Sequence, residues 1–448
     1  MKKAGPYSWL TVRSWFTVPA RLAVLTTLSL LVAGSGRAQA EDWMRFLGKD
    51  GAARSEKASI PLKWDSKTNM KWSRELPGPG SSSPIVYGDH VFVTCYTGYG
   101  DGSEGRASDL MRHLICINKN DGKIVWKKSV DAKSVRTEDR YSGYIKEHGY
   151  ASSTPATDGK AIYAFFGKVG AVAFDMKGNE LWRRNLGTSS SNRRWGSAAS
   201  PILFKDTVIV NAVEESEKIF ALNKKDGSIK WEYDTRKELA YSTPNLVQTK
   251  EGKTELVLGV PTRLIGLDPE SGKELWTART PILNNVSPAV MVQDDIVFLY
   301  GGYRGSGSIA VRAGGKGDVS KSHVVWASRD TNYVSTPVLH KGHIYWIDKN
   351  GVATCVNAKN GERIYKTRVE GLASGGQKFY ASMVTMGDHV FAVSRQSGTI
   401  VLDAKPEYSK VGQNVIEGDQ TDFNATPAFS GNQMFIRSNK AIYCISKD

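Results

Sequence analysis

Residues that could bind a ligand are concentrated in a few irregular stretches of an otherwise regular chain. Residues 129–150 mix aromatic, basic and acidic side chains, residues 192–195 read Asn-Arg-Arg-Trp, and residues 378–380 read Lys-Phe-Tyr. A planar guanidinium can hold a carboxylate through two hydrogen bonds while a neighbouring aromatic ring stacks on the ligand. We therefore predict a binding site for a polar, flat or anionic ligand. Its predicted members are Arg140, His148, Tyr150, Arg193, Arg194, Trp195, Asn285, Tyr333, Lys378, Tyr380 and Asn424.

No spacing in the sequence defines a catalytic or metal-binding motif. Glu147, His148 and Asp422 could act as acids or bases, but nothing in their arrangement marks them as a catalytic set. There is no Cys-x-x-Cys motif, and His340 and His343 flank a Lys-Gly turn, where exposed turn residues are expected more often than metal ligands. We leave catalytic residues unassigned and predict no metal site.

The rest of the chain consists of repeats that must position these residues. Each repeat opens with a Ser/Thr-Pro step followed by short β-prone runs, and successive steps lie 71, 46, 43, 44, 49, 46 and 44 residues apart. A period in the forties with several short strands is typical of a β-propeller. We predict an all-β fold with eight four-stranded antiparallel blades. The opening positions are Ser83, Thr154, Ser200, Thr243, Ser287, Thr336, the degenerate Ser382-Met383, and Thr426.

The second half of each repeat carries a turn glycine with an aromatic residue four positions later. The glycine suits a turn that needs positive φ, and the aromatic ring could pack on the next blade or stack on a ligand. Recurrence at one register favours packing between blades. The pairs are Gly122 with Trp126, Gly178 with Trp182, Gly227 with Trp231, Gly272 with Trp276, and Gly361 with Tyr365, while Trp326 holds the place in a less regular fifth unit.

The eighth repeat ends after three strands, and a lone strand near the N-terminus supplies the fourth. Residues 72–76 match residues 182–186 in register, with Trp72 aligned to Trp182. We therefore predict that this strand closes the ring, which removes two exposed sheet edges. The predicted organisation is a signal peptide at 1–40, a leader at 41–69, and the propeller at 70–448, with residues 70–77 completing the last blade.

The links between blades share one face with the loops between second and third strands, so the irregular stretches should surround the axial channel on that face. Loops as long as those of the first repeat are usually functional or disordered. Six links place an aromatic residue shortly before the inner strand. These aromatics could line a binding funnel, or they could plug the channel and hold neighbouring blades together.

The N-terminal segment indicates where the protein is located, and its net charge bears on what it could bind. Residues 1–40 hold five basic residues and no acidic one, then a short apolar run and Ala-Gln-Ala before Glu41, which is the pattern of a cleaved secretory signal. We expect a periplasmic or secreted monomer with no membrane span after cleavage. Cleavage lowers the net charge from +15 to +10, which would suit an acidic ligand or envelope protein, but the absence of a dense basic run favours scattered surface lysines and arginines as the explanation. Nucleic acid is not an expected partner.

The four cysteines are expected to be largely structural. Cys116, Cys355 and Cys444 occupy a third-strand position that other repeats fill with alanine or glycine, so we predict free thiols there. Cys95 lies on the strand before Cys116, and a cross-strand disulfide between these two is left open.

With its Asp/Asn turn, turn glycine and docking tryptophan, the repeat resembles the pyrroloquinoline-quinone-like (PQQ-like) propeller superfamily over residues 70–448. The leader, with Asp42, Trp43, Phe46 and Gly48, looks like that of secreted quinoprotein-like propellers of unknown function. The superfamily also includes quinoprotein dehydrogenases and the propeller lipoprotein of the outer-membrane assembly machinery. This chain lacks the adjacent cysteine pair of the dehydrogenases and a lipid-bearing cysteine.

The resemblance implies a secreted binding or scaffold module, with its ligand or partner on the axial face and no certain cofactor. The alternative is a PQQ-dependent oxidoreductase that uses the axial pocket and would require PQQ with calcium. A carbohydrate-processing propeller is a weaker alternative, because no spaced pair of carboxylates can be read from the sequence.

Overall fold

The computed structural model describes residues 42–132, 138–236, 238, 240–303 and 306–447, and the predicted signal peptide lies outside them. Eight antiparallel sheets of four strands follow one another along the chain, and the first strands of several neighbouring blades are in contact. The predicted eight-bladed all-β propeller is confirmed. Two blades carry an extra two-residue parallel strand: Arg54–Ser55 on blade 7 and Gly317–Asp318 on blade 4.

In chain order, the strands of the first four blades are Ile85–Tyr87, His90–Thr97, Met111–Asn118 and Ile124–Asp131; Ala156–Thr157, Ala161–Phe165, Ala171–Asp175 and Glu180–Arg184; Ile202–Phe204, Thr207–Ala212, Lys218–Asn223 and Ile229–Asp234; Asn245–Gln248, Thr254–Val260, Arg263–Leu267 and Glu274–Arg279. Those of the last four are Met291–Gln293, Ile296–Gly301, Gly307–Arg312 and Val324–Ser328; Val338–His340, His343–Ile347, Val352–Asn357 and Arg363–Arg368; Val384–Met386, His389–Val393, Thr399–Asp403 and Lys410–Asn414; Ala428–Ser430, Gln433–Arg437, Ala441–Ser446 and, from the N-terminus, Met70–Glu75. Short helical turns occur at Ala107–Asp109, Ile145–His148, Gly167–Val169 and Val213–Ser216.

The burial of each strand follows from its position in the blade. Second and third strands pack against neighbouring blades on both faces, so a strand such as Ala161–Phe165 is buried at every residue. Outer strands face solvent on one side, and in Glu180–Arg184 only the central Trp182 is buried. This is why the inner strands read as continuous apolar runs while the outer strands mix charged and aromatic residues.

The recurring tryptophan docks five of the blades onto the next one, as the repeat pattern predicts, whereas Trp276 donates to Glu255 of its own blade, at 2.8 Å. The Trp182 indole donates its Nε1 hydrogen to the carbonyl oxygen of Lys224 on blade 3, at 2.8 Å. Gly227 lies under the same ring with φ +69°, and a Cβ atom there would come within 2.5 Å of the indole. Trp126, Trp231 and Trp326 donate in the same way to Met176, Pro269 and Ala358.

The position opposite the docking aromatic must be small, which explains three of the cysteines. Cys116 pairs with Trp126, Cys355 with Tyr365 and Cys444 with Trp72. At the equivalent Gly266, an added Cβ atom would lie 2.2 Å from the Trp276 ring. All four cysteines are free and buried, so the prediction of free thiols is confirmed, and burial raises the pKa of Cys95 to about 11 and that of Cys116 to about 12.

The N-terminal strand closes the ring. Met70–Glu75 runs antiparallel to Ala441–Ser446, and Trp72 donates its Nε1 hydrogen to the Lys119 carbonyl of blade 1, at 2.9 Å. The junction between the last and the first blade is therefore built like those made by Trp126, Trp182, Trp231 and Trp326.

Candidate functional site

A ring of hydroxyl groups encircles the propeller axis at the Ser/Thr-Pro steps. The Ser83 amide donates to the Thr154 hydroxyl at 2.9 Å, the Thr154 amide donates to the Ser200 hydroxyl at 3.0 Å, and the Thr426 amide returns to the Ser83 hydroxyl at 3.0 Å. The same contact links Ser200 to Thr243, Thr336 to Ser382 and Ser382 to Thr426. Seven of the hydroxyl oxygens around this ring accept a backbone hydrogen bond, which leaves their own hydrogens available.

The leader crosses the inner strands two or three residues beyond this ring. Trp43 forms a β-bridge with Val86, the Met44 carbonyl accepts a hydrogen bond from the Thr157 amide, and the Ala53 carbonyl accepts one from the Thr385 amide. Arg45 is buried and donates to Asn245 on blade 4, at 2.8 Å. The leader thus blocks the axial channel below the hydroxyl ring.

An axial cavity of about 170 Å³ lies against the ring and is partly open to solvent. Its base contains the hydroxyl-bearing residues of all eight blades and Phe46 from the leader. Its walls come from the links between blades. The principal wall residues are Tyr144, Glu147, His148, Trp195, Tyr241, Tyr333, Tyr380 and Asn424.

Five aromatic side chains give the cavity much of its wall. Trp195 contacts Tyr144 edge-on, with centroids 4.5 Å apart, and packs beside Tyr241 at 5.5 Å. Tyr333 and Tyr380 complete the set from later links. Because these links belong to different blades, the wall exists only once the ring has closed.

The long link between blades 1 and 2 lies across the cavity mouth and forms part of the wall. Its base is fixed by buried ion pairs, with Glu138 bound to Arg112 at 2.7 Å and Asp139 bound to Lys168 at 3.2 Å. Its tip, the helical turn Ile145–His148, reaches the link between blades 7 and 8. There the Glu147 carbonyl accepts a hydrogen bond from the Asn424 amide group, at 2.8 Å.

The two ionisable groups at this tip are both held by neighbouring groups. His148 donates from Nε2 to the Trp195 carbonyl at 2.7 Å, and its Nδ1 contacts the Ser152 hydroxyl, which donates to the His148 carbonyl at 2.9 Å. Burial lowers the pKa of His148, so the ring is neutral near pH 7. Glu147 pairs with Arg395 at 2.8 Å, and the same guanidinium also binds Asp422. Neither Glu147 nor His148 is placed as a free acid or base.

Two buried polar atoms on the wall have no hydrogen-bond partner within the described structure. They are the hydroxyl oxygen of Tyr380 and the side-chain oxygen of Asn424. Asn424 as a whole is only 8 % exposed. Leaving such groups unpaired typically costs about 1–3 kcal/mol each, so they are natural contact points for a bound molecule.

No lysine or arginine lines this cavity in the described part of the chain. Cations instead lie against the aromatic residues of the wall. The Arg193 guanidinium carbon is 5.2 Å from the Trp195 ring centroid, that of Arg395 is 4.7 Å from Tyr380, and Lys349 Nζ is 5.2 Å from Tyr333. The cavity is therefore apolar and hydroxyl-rich rather than cationic.

The structure brings five of the predicted site residues together and places the other six elsewhere. His148, Trp195, Tyr333, Tyr380 and Asn424 line the axial cavity. Arg140, Arg193 and Arg194 are exposed and outside its lining, and Asn285 is buried outside it. Tyr150 donates to the Asp139 carbonyl beside a separate small cavity, and Lys378 binds backbone carbonyls of its own loop, including that of Gly375 at 3.0 Å.

Arg395, which pairs with Glu147 and Asp422 beside the cavity, is a residue of the candidate site that sequence reasoning missed. It lies after the second strand of blade 7, outside the aromatic links that the sequence singled out. No sequence signal pairs it with two carboxylates from other blades. The hydroxyl ring could have been predicted from the sequence, because every repeat opens with Ser or Thr. That pattern was taken only as evidence for the number of blades.

A second, smaller cavity behind the Ser152–Gly196 wall is surrounded by buried charges. It is lined by Arg112, Glu138, Asp139, Lys168 and Glu215, among other residues. Burial raises the pKa of Glu215 to about 8, with nearby Glu214 adding to the shift and the Ser197 hydroxyl, 2.6 Å away, opposing it. Glu215 is thus largely protonated at neutral pH.

Comparison with known proteins agrees with this architecture. The sequence profile described as outer membrane protein assembly factor BamB matches residues 62–194 and 101–238. BamB from Moraxella catarrhalis is similar in structure, with a TM-score of 0.57 and 15 % identity over 84 % of this chain and 96 % of that one. The profile match covers residues 62–238, and the structures show that the chain as described has the propeller fold. No curated protein sequence matches the chain.

Two further structures resemble this propeller and are proteins of other kinds than BamB. The quinohemoprotein alcohol dehydrogenase of Comamonas testosteroni has a TM-score of 0.57 and 11 % identity over 90 % of this chain and 80 % of that one. The computationally designed protein Ika8 has a TM-score of 0.53 and 11 % identity over 83 % and 98 % of the two chains. The likeness therefore concerns the fold, and function must be argued from the site.

The axial pocket does not fit PQQ, the cofactor of the quinoprotein dehydrogenases that the repeat resembles. PQQ is a tricarboxylate, yet the cavity lining described above has no lysine or arginine, and its one carboxylate, Glu147, is already paired with Arg395. Within the described residues, no group of three or more His, Cys, Asp or Glu side chains could hold a metal ion such as calcium. No helix among those residues is long and apolar enough to cross a membrane.

Proposed function

We propose that this propeller is an extracytoplasmic binding module whose axial pocket takes an uncharged, ring-sized ligand. One observation carries the proposal: aromatic rings, hydroxyl groups and unpaired polar atoms converge on one cavity whose described lining has no cationic side chain. Pockets that combine apolar walls with a few placed polar groups are typical ligand sites. The secretory pattern of residues 1–40 supports the location.

The size of the cavity supports a ligand built around a single ring. An engineered protein cavity of roughly 150 Å³ accommodates benzene, and this one encloses about 170 Å³. Because the cavity is partly open, substituents of the ring can project toward solvent. A larger flat tricarboxylate would find neither the space nor the counter-charge.

The charge distribution favours a binding module over an enzyme. The acid–base candidates Glu147 and Asp422 share Arg395, and both His148 ring nitrogens are hydrogen-bonded. A general acid or base must reach the proton that it transfers, and here those atoms are already engaged.

A thermal-shift screen tests the proposal. Wild-type protein, Trp195→Ala and the double variant Arg193→Ala/Arg194→Ala would each be screened against neutral cyclic compounds and matched carboxylates, with PQQ plus calcium included. We expect neutral compounds to raise the melting temperature of the wild type and of the double variant, but not of Trp195→Ala. Tyr380→Phe serves as a milder second variant if Trp195→Ala folds poorly.

Two outcomes contradict this proposal. In one, only anionic compounds raise the melting temperature and the double arginine variant abolishes the shift. In the other, neutral compounds shift Trp195→Ala and Tyr380→Phe as much as wild type, which would place the binding site outside the axial pocket.

A further inference from the structure

We infer that the axial pocket recognises a saccharide: one neutral pyranose ring, either free or at the end of a glycan chain. This inference rests on the proposed function and names the class of its ligand. It follows from four features of the cavity, namely its donors, its acceptors, its aromatic walls and its net charge.

The base of the cavity offers hydrogen-bond donors. The hydroxyl oxygens of Ser83, Thr154 and Ser200 each accept a backbone amide hydrogen from a neighbouring blade, at 2.9 to 3.0 Å. Thr243, Thr336, Ser382 and Thr426 accept one as well. An oxygen that accepts such a bond keeps its own hydrogen free to donate. A ligand seated on this ring must therefore present several acceptor oxygens close together.

The wall offers hydrogen-bond acceptors and one group that can either donate or accept a hydrogen bond. The unpaired oxygen of Asn424 can only accept, and the unpaired hydroxyl of Tyr380 can donate or accept. The Glu147 carboxylate, which also lines the cavity, adds acceptor character. A ligand must then donate to the wall while it accepts from the base. Adjacent hydroxyl groups on one ring meet both demands, because each hydroxyl donates once and accepts twice.

The aromatic walls suit the apolar faces of a sugar ring. A pyranose presents C–H groups above and below its plane and hydroxyl groups around its edge. Trp195 and Tyr144 contact each other edge-on and both line the cavity, as do Tyr333 and Tyr380. The C–H faces can pack on these rings while the hydroxyl edge meets the polar atoms. A flat heteroaromatic ring would pack equally well but would leave most of the hydroxyl ring without acceptors.

The charge of the lining selects against acidic sugars. Glu147 is balanced by Arg395, which is outside the cavity lining, and His148 is neutral because burial lowers its pKa. A uronate carboxylate would lose water without gaining a cation in return. The site should therefore prefer neutral hexoses over their uronic acid counterparts.

Isothermal titration calorimetry with named probes tests the inference. The probes are the methyl glycosides of glucose, galactose and mannose, methyl glucuronide, neutral oligosaccharides of two to four residues, and indole as an aromatic that is not a sugar. Each is titrated into wild type, Tyr380→Phe, Trp195→Ala, and a matched control, Tyr87→Phe, whose ring lies outside the cavity lining. Circular dichroism and melting temperature check that each variant is folded.

We expect at least one neutral glycoside or oligosaccharide to bind, with methyl glucuronide at least tenfold weaker than methyl glucoside. Losing one neutral hydrogen bond should weaken sugar binding to Tyr380→Phe by roughly 3- to 10-fold, and Tyr87→Phe should bind like wild type. Tighter binding of oligosaccharides than of methyl glycosides would identify a glycan end as the ligand, and equal binding would identify a free sugar.

Three outcomes overturn the inference and separate it from the proposed function. If indole binds in a Trp195-dependent way and no saccharide does, the pocket is a ligand site but the sugar class is wrong. If saccharides bind and Tyr380→Phe and Trp195→Ala do not weaken them, the sugar site lies elsewhere. If no probe binds folded wild-type protein, both the inference and the proposed function fail.

Discussion

Replacing Glu215 by glutamine should remove a strong pH dependence from the folding stability of this propeller. Glu215 is 2 % exposed and lies behind the wall of the axial cavity, and burial raises its pKa from 4.5 to about 8. One of its carboxylate oxygens has no partner among the described residues. The folded protein therefore holds a proton here that the unfolded chain releases at lower pH.

The sign and size of the effect follow from proton linkage. Stabilisation from the protonated carboxyl is complete below about pH 4.5 and is lost as pH rises towards 8, since only the folded state keeps the proton in that window. The slope approaches about 1.4 kcal/mol per pH unit. Glutamine imitates the protonated carboxyl, so the free energy of unfolding of Glu215→Gln should rise relative to wild type by roughly 2–3 kcal/mol between pH 6 and pH 8.

Urea unfolding at pH 6, 7 and 8, followed by tryptophan fluorescence, would measure this difference. The matched control is Glu104→Gln, the same chemical change at an exposed loop position. The free energy of unfolding of the control should change with pH in the same way as that of wild type. If the free energy of unfolding of Glu215→Gln also changes with pH as that of wild type does, then Glu215 is ionised in the folded protein. The argument that burial keeps Glu215 protonated would then be wrong.

Three further predictions concern the ring and the cavity wall. Deleting residues 41–77 should lower the melting temperature and promote aggregation, because blade 8 loses Met70–Glu75 and exposes an edge; an unchanged melting temperature without aggregation would contradict ring closure. Thiol labelling should modify all four cysteines after denaturation without reductant and almost none in the native protein, because all four are buried and free; detection of a disulfide by intact mass would contradict this. Arg395→Ala should speed amide hydrogen exchange at Ile145–His148 by about fivefold or more, since a partly buried charged contact typically contributes at least about 1 kcal/mol, while Arg194→Ala should not; equal exchange in both variants would show that Arg395 does not hold this turn.

The features that the sequence predicts well are those that recur. The docking tryptophans, the turn glycines and the small residue opposite each aromatic appear in several copies, so each copy supports the interpretation of the others. Closure by residues 70–77 could be predicted because Trp72 fits the same register. Repetition turns a weak local signal into a constraint on the whole ring.

The features that the sequence could not predict occur once and depend on how side chains point. Arg193, Arg194 and Trp195 are adjacent in sequence, yet only Trp195 lines the cavity, while both arginines are exposed. The path of the leader beneath the hydroxyl ring and the contact between Arg395 and Glu147 join segments that are far apart in the chain. Neither leaves a periodic pattern, so neither could be inferred from spacing alone.

The measurement that tests the account most directly is a crystal structure of the protein soaked with the tightest-binding compound from the screen. The account predicts density for an uncharged ring in the axial cavity, packed on Trp195 and within hydrogen-bond distance of the Tyr380 hydroxyl and the Asn424 side-chain oxygen. Density for the compound on the outer strands, or against Arg193 and Arg194 with an empty axial cavity, would contradict it.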